Sequence, residues 1–88
     1  MMQDKITPAI KDPVTESVYT GLDHAAIAES CDANLPDDMG DRIMYEYSHK
    51  TDNTGFVCEG EFYTRLEAMK KWGIWTSQDL NKMKANLK

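Results

Sequence analysis

Two side chains, His24 and Arg65, stand where the sequence predicts helices to begin, and both could hold an anion. A helix start exposes unpaired backbone N–H groups at the positive end of the helix dipole, so a donor placed there adds to an existing preference for anions. His24 follows Gly21-Leu22-Asp23; its imidazole could donate to a phosphate or carboxylate, and it suits a surface or capping position equally well. Arg65 falls in the first turn of a later helix. Its guanidinium could grip a phosphate or carboxylate bidentately, or pair locally with Glu61 or Glu67. Phe56 could stack on a base, although Phe56, Phe62 and Tyr63 are also ordinary core residues. Trp72 and Trp75 suit a core or a dimer contact. A Cys/His nucleophile would need the pair to meet in space, and no GxSxG elbow occurs. The residue types therefore point to binding and not to an enzyme, with no cofactor.

The elements that must position these groups centre on GFVCEGEFYTRLEA, Gly55 to Ala68. Phe56, Val57, Phe62 and Tyr63 are β-formers flanking Glu59-Gly60, where a tight hairpin needs positive φ and glycine supplies it. Thr64 and Glu67 have the spacing of a capping box, which predicts a helix from Arg65 to Trp72 ended by Gly73. Leu66, Met69 and Trp72 are expected on its buried stripe. A last helix is predicted over Ser77 to Leu87, with Leu80, Met83 and Leu87 on one face.

Earlier in the chain, residues 1–5 read as loose and Ile6 to Lys11 as an edge strand carrying Pro8. Lys11-Asp12-Pro13 opens a turn to a second strand, Ser17 to Thr20. Asp23 or Thr20 can cap a short helix over His24 to Ser30, with Ala26, Ile27 and Cys31 on its buried side. Asp32 to Asp41 reads as an acidic surface loop. Its Asp32, Asp37, Asp38 and Asp41 lack the alternate-position ligands and final glutamate of a calcium loop, so no metal is expected. Arg42 to Ser48 alternates, with Ile43, Tyr45 and Tyr47 on one face, which predicts a strand.

Eighty-eight residues make one small domain, which buries only about 60–65% of the surface of its unfolded chain. Dimerisation is one way to support so small a core. Cys31 and Cys58 are expected as reduced, partly buried thiols. The net charge of −5 disfavours duplex DNA, which demands clustered Lys and Arg, but a few local groups can still hold a small nucleotide. It also suits docking on a basic protein face, for which Asp37, Asp38, Asp41, Glu59 and Glu61 are the candidate contacts. With no apolar run near the ~20 residues of a membrane span and no signal pattern, a cytoplasmic protein is expected.

Two ordered motifs resemble a set of small phage and prophage proteins. The first, in PAIKDPVTESVYTGLDHAAI (8–27), matches Tyr-x-Gly-x-x-His at Tyr19, Gly21 and His24. The second is a Gly-Phe pair, Gly55 and Phe56, followed by Phe-x-x-Arg-x-x-Ala at Phe62, Arg65 and Ala68. The set resembles the Thoeris anti-defence proteins, which sequester cyclic ADP-ribose-type signals without degrading them. That resemblance implies an antiparallel sheet with C-terminal helices, assembly at least as dimers in an infected bacterial host, and a phosphate near Gly21, His24 and Arg65. Leu22 and Asp23 stand where the set carries a basic residue before the histidine, Glu61 replaces a basic or polar residue, and the turn before Phe62 is one residue shorter. A direct inhibitor of a host defence complex and a structural phage domain without a ligand are the alternatives. The expected fold is α+β, a small antiparallel sheet with a short helix and two C-terminal helices.

Overall fold

The computed structural model describes residues 6–85, so the expectations for residues 1–5 and for Leu87 lie outside the described residues. Four strands form one antiparallel sheet in the order β2-β1-β3-β4: β1 Thr7–Lys11, β2 Val18–Thr20, β3 Thr54–Cys58 and β4 Glu61–Tyr63. Four helices complete the described chain: α1 His24–Asn34, α2 Asp37–Ser48, α3 Arg65–Trp72 and α4 Ser77–Ala85. The fold is α+β, as expected. No described helix is long and apolar enough to cross a membrane.

The β3–β4 hairpin turns at Glu59-Gly60, both at positive φ (53° and 84°), the geometry the tight turn requires. Thr64 and Glu67 form the reciprocal capping box: the Glu67 N–H donates to Thr64 Oγ1 at 3.2 Å and the Thr64 N–H to Glu67 Oε1 at 3.0 Å. Gly73, left-handed at φ 72°, closes α3. Pro8 is buried on β1, which lies between β2 and β3, so the first strand is a central one and not an edge.

Side chains alternate across a strand, so Ile6, Ile10, Phe56 and Cys58 share one sheet face. Two apolar clusters form there. Ile6, Phe56 and Cys58 pack with Ala68, Ile74 and Leu80; Ile10 packs with Ile27, Ala28, Cys31 and Ile43. Cys31 and Cys58 are buried in separate clusters and no disulfide joins them.

Further sequence expectations are corrected. Asp32 to Asp41 is not a loop and Arg42 to Ser48 is not a strand: α1 runs on to Asn34 and α2 starts at Asp37. Gly40, Ile43 and Glu46 are buried at three-residue spacing, while Tyr45, expected to share a face with Ile43, is exposed. Over seven residues, Ile43 and Tyr47 satisfy a period of two and a helical i, i+4 spacing alike. On α3 the buried residues are Arg65 and Ala68, and Leu66 and Met69 are exposed at 49% and 47%. Trp72 packs against the core as expected, and the rest of the inward stripe falls on Arg65 and Ala68.

Candidate functional site: a cleft where three helices begin

His24, Arg65 and Ser77 are the first residues of α1, α3 and α4, and all three line one cleft of about 380 Å³. Lys50, Tyr47 and Trp75 complete its wall, with Gln78 and Asn81 along α4. Each helix start carries backbone N–H groups without intrahelical partners and the positive end of a dipole. The cleft thus joins three helix starts with the cationic residues Lys50 and Arg65.

Local sequence builds each corner. Asp23 caps α1, its Oδ1 accepting the Ala26 N–H at 2.7 Å. The run Thr76 to Asp79 caps α4 reciprocally: the Asp79 N–H donates to Thr76 Oγ1 at 3.1 Å, and Asp79 Oδ2 accepts the Thr76 and Trp75 N–H groups. Asp23 also lines the cleft, as the carboxylate among its lining residues.

Arg65 is 4% exposed. Its Nε donates to the Trp75 carbonyl at 3.2 Å and its Nη1 to the Lys50 carbonyl at 2.9 Å, tying the loop after α2 to the loop before α4. The guanidinium carbon lies 4.5 Å from the Trp75 ring centroid. Among the described residues no carboxylate forms an ion pair with Arg65, and the expected partners Glu61 and Glu67 bond elsewhere. Its Nη2 carries no hydrogen bond there and is not sealed from solvent, and Arg65 is one of the residues lining the cleft. A buried cation with a free N–H pair facing a cavity is a ready anion ligand.

His24 is buried and fully engaged. Its Nε2 lies 2.7 Å from the Gly55 carbonyl, which can only accept, so Nε2 carries the proton. Its Nδ1 lies 2.6 Å from Ser77 Oγ, and the His24 backbone N–H donates to the same oxygen at 3.1 Å. Ser77 therefore accepts from the backbone and donates its O–H to Nδ1. Burial, opposed by the Gly55 carbonyl and aided by the Arg65 charge, pushes the His24 pKa below the ordinary histidine value.

The structure brings His24 and Arg65 together and leaves the other candidates elsewhere. Phe56 is 0% exposed in the core, meeting the His24 ring edge-on at 5.3 Å, so it offers no face to a base. Trp75, 40% exposed, is the aromatic at the cleft. Gly21 lies outside the lining; a Cβ there would come within 2.9 Å of Ile27 Cγ1, so its glycine serves packing. The acidic candidates divide. Asp37, Asp38 and Asp41 lie on the first turns of α2, at the β1 end marked by Asp12, which Arg42 binds. Glu59 and Glu61 flank the hairpin at the opposite end, roughly 17 Å of strand away.

No family model, curated protein or solved structure matches this chain.

Proposed function

We propose that the chain captures a small anionic ligand in this cleft, and that the ligand is a signalling nucleotide of the cyclic ADP-ribose type, held and not degraded. The supporting observation is Arg65, a buried cation that lines the cleft where three helices begin, has Nη2 unbonded and, among the described residues, forms no ion pair, the Asp52 charge acting on it only from a distance. A phosphate there gains a charge-assisted hydrogen bond and helix-start N–H groups that the caps leave over, those of Ala25, Ser77 and Gln78 among the lining residues. Trp75 offers a flat apolar surface beside it for a base. Lys50, held at φ 50°, adds a second cation to the wall. The nucleotide class comes from the resemblance at Tyr19, Gly21 and His24 and at Gly55, Phe56, Phe62, Arg65 and Ala68, which also gives the biological role, phage counter-defence by sequestration. Leu22 is exposed and Glu61 lies outside the cleft lining, so two of the departures leave the Arg65 wall intact.

Small molecules released by heating the protein, purified from cells that make such signals, test the reading. A phosphate-bearing nucleotide at close to one per chain is expected. Folded protein from such cells that releases no anionic small molecule would contradict it.

A further inference from the structure

The Ser77–His24 pair has a geometry that anion capture does not require. The serine oxygen lies 2.6 Å from an imidazole nitrogen that must be unprotonated, because the other ring nitrogen donates to Gly55. A nucleophile bonded to a base, with the base held by a third group, is the arrangement of an activated serine. Ser77 also begins α4, where the Asp79 and Leu80 N–H groups are taken by Thr76 and the N–H groups of Ser77 and Gln78 have no intrahelical acceptor. Both residues line the cleft, so these N–H groups are the nearest backbone donors in sequence for a negative oxygen developing on an attacked carbonyl. Arg65 lines the same cleft.

We propose that Ser77 is an acyl-accepting nucleophile with His24 as its general base, taking the acyl group of an ester or thioester whose acyl part carries a carboxylate or phosphate for Arg65. The preference for a charged acyl part rests on the anion site; the reactivity of Ser77 does not. Oγ bonds to the acyl carbon as its proton passes to Nδ1. The bond from that carbon to the alcohol or thiol then breaks, and Nδ1 returns the proton to the departing oxygen or sulfur. The product is one acyl group on Ser77 and one free alcohol or thiol, with no change of oxidation state.

The test incubates the native protein with the para-nitrophenyl monoester of succinic acid, with neutral para-nitrophenyl butyrate alongside, and locates the adduct by mass spectrometry of the intact chain and its peptides. One succinyl group on Ser77 is expected, formed faster than the butyryl adduct. Ser77→Ala should carry none at that position. His24→Gln should slow labelling about a hundredfold or more, the usual weight of a general base. If that variant does not fold, the wild type in urea replaces it, and Ser77 should then stay unlabelled. Native protein without label on Ser77, or labelling as fast in urea, would overturn the proposal. Nucleotide binding measured on the same sample separates the two readings: binding without labelling removes only the reactive serine, and labelling without binding removes only capture.

Discussion

On the proposed function Arg65 combines two duties. Nε and Nη1 fasten two loops through the Trp75 and Lys50 carbonyls, and Nη2, unbonded, would meet the ligand. Arg65→Ala should therefore weaken anion binding by about 1.5–3 kcal/mol, ten- to more than a hundredfold, and also lower the melting temperature. Gln78→Glu separates the two effects, because Gln78 is exposed on the cleft wall and bonds nothing essential to the fold. Calorimetry should show weakened anion binding with an unchanged melting curve; unchanged affinity would place the ligand elsewhere. His24 and Arg65 were legible because a helix start is a local pattern. Ser77 was not, since its bond to His24 spans 53 residues. The last helix was placed from Ser77 by its apolar face, but nothing local said that the three starts would meet.

At the scale of elements, the capping box makes a direct prediction. Thr64→Ala removes the acceptor for the Glu67 N–H and should cost about 1 kcal/mol, read from urea unfolding. An unchanged midpoint would mean that the cap adds nothing. Gly55→Ala should be far more damaging. Its Cβ would collide with the Tyr63 carbonyl oxygen and press on the Phe62 ring at 3.0 Å, displacing the strand whose carbonyl holds His24. The hairpin, α3 and its cap were readable because their signals lie within a few residues. α2 was misread because its inward residues include a glutamate. Glu46 is buried and accepts from Thr51 Oγ1 at 2.6 Å and Asn53 Nδ2 at 2.7 Å, closing the loop into β3. Polar burial of that kind cancels an apolar helical stripe. Asp12 was read as local turn chemistry, which it performs for Val14 and Thr15, but it also receives Arg42 Nε and Nη2, both at 3.1 Å.

Three of the four described helices begin at one cleft, while the α2 start and the hairpin carboxylates lie toward opposite ends of the sheet. This arrangement ties stability to pH. The folded-state pKa of His24 is lowered, mainly by burial, so the unfolded chain binds its proton more readily. Stability from this residue is complete above about pH 6.5, the unfolded value, and is lost as pH falls from there toward the folded value. Asp12 acts at lower pH, since the Arg42 bond holds its pKa below the usual carboxylate value. Urea midpoints at pH 7.5 and 5.5, on the order of one unit either side of the histidine value, should differ for wild type and coincide for His24→Gln. Equal differences in both would assign the effect to another group. Light scattering should give at least a dimer mass, with the exposed Leu66 and Met69 face of α3 available for contact. The most direct test of the central claim is calorimetry of the wild type with a cyclic ADP-ribose-type nucleotide. Saturable binding at one site per chain, reduced at least tenfold by Arg65→Ala, is the expected result; no heat at ligand concentrations well above the protein's would contradict nucleotide capture.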